Sequence, residues 1–116
     1  MTTILTNLVI LVLCFFLETS ALADNEKAQK YLREAEYYTK KAEGFERDAT
    51  YYSKKADGYL RQADYYSRKK DSGRARTYTR WAQEASEKAK LRMKWAQDAR
   101  DNARRRIKMA EREMKK

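Results

Sequence analysis

Alanine recurs without a break at positions 28, 35, 42, 49, 56 and 63, and three residues after each comes a ring: Tyr31, Tyr38, Phe45, Tyr52, Tyr59 and Tyr66. Apolar positions spaced alternately three and four apart over six heptads are the periodicity of a helix that buries one stripe against another helix. With the alanines at heptad position a, the rings fall at d. The outward positions agree with this frame. Position f is always basic (Arg33, Lys40, Arg47, Lys54, Arg61, Arg68), and position b is mostly acidic (Glu36, Glu43, Asp57, Asp64). Each of those acids lies four residues before a base, the favourable order along a helix surface. Position c alternates Tyr37, Gly44, Tyr51, Gly58 and Tyr65, so the visible repeat is fourteen residues and not seven.

The rhythm stops after Ala63 and resumes at Ala75, continuing through 82, 89, 96, 103 and 110. The gap of twelve breaks the heptad phase and contains Lys69, Lys70, Asp71, Ser72, Gly73 and Arg74. Two lysines suit a helix C-terminus, Gly73 suits a left-handed residue, and Asp71 or Ser72 can cap the next helix. The second helix also repeats at fourteen, in Arg80-Trp81-Ala82-Gln83 and Lys94-Trp95-Ala96-Gln97, with Lys108-Met109-Ala110-Glu111 after them. Its stripe adds Met93, Ile107 and Met114 at e and Ala85 and Ala99 at d. Arg92 and Arg106 occupy two further d positions, where they either weaken the seam or lay their stems along it. The pattern predicts an all-α chain: helix 27–70, turn 71–73 and helix 74–115, forming an antiparallel coiled-coil hairpin on alanine heptads. The competing arrangement is one continuous helix with a phase slip near residue 70, dimerising in parallel. Short helix connections make antiparallel neighbours, so the hairpin is the expectation.

An alanine at a buries little, on the order of one methyl, whereas a ring at d can bury 150–250 Å². A two-helix hairpin covers each ring on one side only, and a long strip of half-covered rings marks an interface. Self-association into a bundle is therefore expected. Its seam is assigned to Ala35, Tyr38, Ala42, Phe45, Ala49, Tyr52, Ala56, Tyr59, Ala63 and Tyr66 of the first helix, with Trp81, Ala82, Trp95 and Ala96 of the second. Gly44 and Gly58, each costing roughly 1 kcal/mol in a helix interior, are read as openings that admit a neighbouring chain's rings.

Residues 1–23 differ from everything after them. An apolar run from Leu8 to Leu17 precedes Ala21-Leu22-Ala23, the small-x-small pattern of a secretory cleavage site, although no Lys or Arg stands ahead of the run. The run is far short of the ~20 residues that span a bilayer, so a signal peptide is expected and a transmembrane anchor is not. Cleavage after Ala23 leaves residues 24–116 with 27 basic and 16 acidic residues, a net charge of +11. The one cysteine, Cys14, leaves with the signal, and no disulfide framework can staple the remainder. Stability must come from helix packing and self-association.

Candidate chemistry is sparse. With no histidine and no cysteine beyond residue 23, zinc, copper and haem lose their usual ligands, and no Ser-His-Asp or Cys-His arrangement is available. The b-position carboxylates stand in an ion-pair lattice. The chain is thus read as a protein without catalysis, cofactor or small-molecule substrate. Its basic face is different. The f positions with Lys41, Lys55 and Lys69 form a positive band, and Arg104, Arg105, Arg106, Lys108, Lys115 and Lys116 make a denser one suited to contact a polyanion by counterion release. Tyr37, Tyr51 and Tyr65 are read as widening the apolar stripe. The first helix has little Leu, Ile or Val beyond Leu32 and Leu60, which gives little drive into hydrocarbon.

Across residues 28 to 110 the alanine pattern resembles, in general style, close-packed alanine coils and the coiled-coil silks of some invertebrate secretions; the resemblance carries no functional residues over. The expectation is a secreted, basic, tyrosine-rich α-helical protein that acts as a structural or matrix component by homo-oligomerisation. The second reading is a secreted module that binds acidic or sulfated glycans or anionic surfaces.

Overall fold

The computed structural model describes residues 25–116; the expected signal peptide, residues 1–23, lies outside them. Two helices account for nearly all of the described chain, α1 over Glu26–Arg68 and α2 over Ser72–Met114, and they pack against each other as a hairpin. The continuous-helix arrangement is thereby excluded. No helix among the described residues is long and apolar enough to cross a membrane.

Reversal of the chain is achieved in three residues, by a different residue from the one expected. Lys70 adopts the left-handed conformation, with φ of 60°, whereas Gly73 does not have a positive φ and lies in the first turn of α2. The N–H of Asp71 donates to the carbonyl of Tyr66 at 2.9 Å and that of Lys70 to the carbonyl of Ser67 at 3.0 Å. That pair of bonds is the Schellman closure, which satisfies carbonyls that the helix end leaves open. Asp71 then caps α2: its Oδ1 accepts the N–H of Arg74 at 3.1 Å, and its carbonyl accepts the N–H of Ala75 at 3.0 Å. With Asp71 as cap, Gly73 falls in helical backbone and the left-handed role passes to the residue before the cap. At the other end Asn25 caps α1 in the same way, accepting the N–H of Ala28 on its Oδ1 at 3.0 Å. The same side chain donates from Nδ2 to the carbonyl of Glu113 at 3.0 Å, tying the start of α1 to the end of α2.

Among the described residues the hairpin divides into two compact units, one joining 25–41 with Asp98–Lys116, the other Ala42–Gln97. In the first, Ala28, Leu32 and Ala110 form a buried cluster against which Tyr31 and Met114 pack. Thr39 is also buried there; its hydroxyl donates back to the carbonyl of Ala35 at 2.9 Å, so burial leaves no open donor. In the second, Ala49, Ala56 and Ala63 of α1 and Ala82, Ala85, Ala89 and Ala96 of α2 are buried. Leu32 is the only buried apolar residue larger than alanine among the described residues. At ~0.8 kcal/mol per buried CH₂-sized group, such a core contributes modestly per residue. The rings beside the alanines must therefore carry much of the packing energy, and every d-position ring of α1 is only half-buried. On the outer surface, two of the four expected b-to-f pairs close, Glu36 with Lys40 at 3.1 Å and Asp64 with Arg68 at 3.0 Å. Both are exposed, which limits them to about 0.3–0.5 kcal/mol each.

Candidate functional site

Each c-position tyrosine of α1 stands beside a d-position tyrosine, edge to face. Centroids are 5.3 Å apart for Tyr37 and Tyr38, 5.2 Å for Tyr51 and Tyr52 and 5.1 Å for Tyr65 and Tyr66. One turn on, a lysine lies over each outer ring: Lys41 over Tyr37 at 5.8 Å, Lys55 over Tyr51 and Lys69 over Tyr65, both at 5.6 Å. The helix surface brings residues four apart together, so the recurring Tyr-Tyr-x-x-Lys phrase builds the same cation–π step three times. The three outer tyrosines remain 51–60% exposed. Within the chain each lies against its own lysine and its sister ring.

Across the seam, α2 meets this strip with alternating chemistry. In the unit containing the chain's end, the guanidinium of Arg106 lies 5.8 Å from the Tyr38 centroid, and its Nε is 2.9 Å from Glu34 Oε2. In the turn unit Arg92 does the same, 5.7 Å from Tyr52 and 4.0 Å from Asp48 Oδ2, and it also lies 4.4 Å from the Trp95 ring. The two d-position arginines therefore place cations on rings and acids, and do not leave gaps in the seam. The turn unit also holds ring pairs: Phe45 with Trp95 at 5.5 Å and Tyr59 with Trp81 at 5.7 Å. Next to the turn, Tyr66 and Tyr78 stack nearly parallel, 5.5 Å apart and 4° between planes, with Arg74 over Tyr66 at 5.4 Å.

The alanines assigned to the seam, 35, 42, 49, 56, 63, 82 and 96, are all buried. Tyr38, Phe45, Tyr52, Tyr59 and Tyr66 are half-buried between the chain's own helices, and Trp81 and Trp95 keep 38% and 37% of their surface. What these residues offer another molecule is therefore their outer edges. One such edge forms a groove of about 270 Å³ lined by Tyr52, Tyr59, Trp81 and Ala85, with Lys55, Lys88 and Glu84 around them. Lys55 stands between Tyr51 and Tyr59, whose phenolic oxygens, Tyr51's first, hold its ammonium above the ordinary lysine range. Lys88 lies 5.6 Å from the Tyr52 ring centre.

The basic segment is less uniform than its sequence. Arg104, Arg105, Lys108, Lys115 and Lys116 are exposed, whereas Arg106 is turned into the seam toward Glu34 and Tyr38. Arg104 is 3.5 Å from Asp101, and Lys116 is 2.9 Å from Glu113. The hydrogen bond from Lys116 holds the Glu113 carboxyl below its ordinary range. Sequence reasoning passed over Arg100, which is buried at an e position, and over Lys88 and Arg74 as ring partners. The signal for Lys88 and Arg74 lies in cross-helix register, which a single-helix heptad count does not contain. Compared with models of known protein families, with curated proteins and with solved structures, the chain matches none.

Proposed function

We propose that this protein is a secreted structural component, of a matrix or other secreted material, that works by self-association of its helical hairpins. The observation that carries the reading is the distribution of its large apolar side chains. Leu32 is buried, while Tyr37, Tyr51, Leu60, Tyr65, Trp81, Leu91, Met93 and Trp95 are all exposed. A hairpin whose own core is almost wholly alanine, and whose rings show their edges to water, gains by burying those edges against further copies. Many ring contacts of moderate strength, repeated along a helix, suit a material better than a pocket. Sedimentation equilibrium of residues 24–116 at low and high salt tests this. A helical dimer or larger species that persists at high salt supports ring-driven assembly, and a monomer at all concentrations refutes it. Secretion is tested by sequencing the N-terminus of the exported chain, which should begin at Asp24.

A second reading is favoured by the exposed bases Arg104, Arg105, Lys108 and Lys115: a polyanion contact at the C-terminal end of α2. Truncating residues 104–116 should weaken heparin binding and flatten its salt dependence while assembly survives. Replacing the exposed Tyr37 and Tyr65 by Ala should do the reverse.

A further inference from the structure

We propose that the groove formed by Tyr52, Tyr59 and Trp81 binds an acidic pyranose residue of a sulfated glycan, its anionic groups held by Lys55 from α1 and Lys88 from α2. This goes beyond assembly, because one hairpin alone builds the groove. The floor is aromatic and open on its outer side. Tyr59 and Trp81 meet at 5.7 Å with planes 61° apart, so the rings form a corner and not a parallel slot. The C–H face of a sugar ring can lie on a single open aromatic face by dispersion, with no second parallel wall. At about 270 Å³ the groove falls just below the ~300–1,000 Å³ of pockets for drug-sized ligands, a size for one ring and its substituents.

Charge decides which sugar. The ammonium groups of Lys55 and Lys88 come from different helices and are both parked beside rings, 5.6 Å from the centres of Tyr51 and Tyr52. Both lysines are exposed, so an incoming anion can reach their ammonium groups. Glu84 is the single opposing charge in the lining, which leaves the groove net positive on a chain of net charge +10. A sulfate or carboxylate brings the complement, with charge-assisted hydrogen bonds to both lysines.

The test uses the indole that lies in the groove. The chain has two tryptophans, and a Trp95→Phe variant leaves Trp81 as the only reporter. Titration with a heparin-derived tetrasaccharide should shift Trp81 emission saturably, with matching calorimetry on the unsubstituted chain. Lys55→Gln with Lys88→Gln should weaken binding about tenfold, the loss expected when two solvent-exposed charge pairs are removed together. Lys90→Gln with Lys94→Gln removes the same charge from exposed positions away from the groove and should change affinity by no more than about twofold, the non-specific electrostatic share. Glu84→Gln should tighten binding several-fold. Circular dichroism and sedimentation on each variant separate loss of the groove from loss of fold or assembly. The proposal is overturned if both double variants weaken binding equally, if Trp81 emission does not respond, or if a neutral tetrasaccharide or an oligothymidylate binds as tightly as the sulfated one.

Discussion

Replacing Gly44 and Gly58 together by alanine should stabilise the hairpin, and the size of the effect can be worked from the space around each. A Cβ built on Gly44 would come no closer than 3.8 Å to any atom beyond its chain neighbours and the adjacent helix backbone, the nearest being the tip of Arg47. On Gly58 the nearest is the tip of Arg61 at 3.9 Å. Those are ordinary contacts with the mobile ends of flexible side chains, so neither position needs glycine for the hairpin to close. Neither glycine has a positive φ. What remains is helix propensity, about 0.8–1.0 kcal/mol per Gly→Ala exchange. The two sites are fourteen residues apart, about 21 Å along the axis, which makes the effects additive at about 2 kcal/mol. For a domain of this size that is a rise in Tm of roughly 8–16 °C. Thermal unfolding followed by circular dichroism should be run dilute, where assembly does not contribute, with a denaturant series to check that m is unchanged. An unchanged or lowered Tm would refute the reasoning. If assembly seats rings of a second copy at these two positions, the same variant should be a more stable monomer and a weaker assembler. One protein then carries two measurements with opposite signs, which a merely stabilising substitution does not produce.

Three further outcomes are expected. Lys70→Gly relieves a side chain held at φ of 60° and should add about 1 kcal/mol, read as a higher denaturant midpoint; a lower midpoint would show that the lysine contributes more than its strain costs. Arg106→Ala removes the cation from Tyr38 and the partner from Glu34; both side chains of the ion pair keep about a third of their exposure, so the loss should be about 1–2 kcal/mol and not the larger penalty of a sealed pair. Glu113, held below its ordinary range by Lys116, contributes stability that is full above the unfolded carboxylate's pKa and is lost as pH falls through the folded one; Lys116→Ala should therefore reduce Tm at neutral pH and leave it nearly unchanged at strongly acid pH.

Alanine spacing made both helices and the break between them legible, because a small residue at every a position has one use in a helix of this length: close approach of another helix. The break in phase between Ala63 and Ala75 announced the turn, but not which residue would take the left-handed conformation. Capping decides that. Once Asp71 accepts the N–H of Arg74, the helix start is set and Gly73 falls inside it. The arginines at d were harder still. Read along one helix, Arg92 and Arg106 look like faults in an apolar stripe. Their partners Asp48, Glu34, Tyr52 and Tyr38 stand on the other helix, and pairing them requires the antiparallel register. The groove was illegible for the same reason, since its lining draws Lys55 from one helix and Lys88 from the other.

That register also explains why the repeat is fourteen and not seven. In the turn unit the d rings Phe45, Tyr52 and Tyr59 take an indole, a guanidinium and an indole in turn. Tyr38 and Tyr52 each take a guanidinium with an acid behind it; Phe45 and Tyr59 each take an indole. A stack of rings alone would be sticky along its whole length, and a stack of cations alone would repel itself. Alternation spaces the charges about 21 Å apart along each helix and fills the interval with aromatic surface. The third position of the cationic series tests this logic inside the molecule. Fourteen residues on from Tyr52 is Tyr66, and its partner fourteen residues before Arg92 is Tyr78, an aromatic ring where an arginine would continue the series. At the matching acid position, fourteen after Asp48, stands Gln62. Cation and acid are lost together, as they must be if each is there for the other: a lone Asp at 62 would face a ring, and a lone Arg at 78 would lack its counter-charge. The cation over Tyr66 comes from Arg74 at the head of α2, which is itself 3.5 Å from Asp71 in the turn. At the third layer a ring, a cation and an acid are still brought together, but the cation and the acid come from the turn's own residues and not from the fourteen-residue repeat.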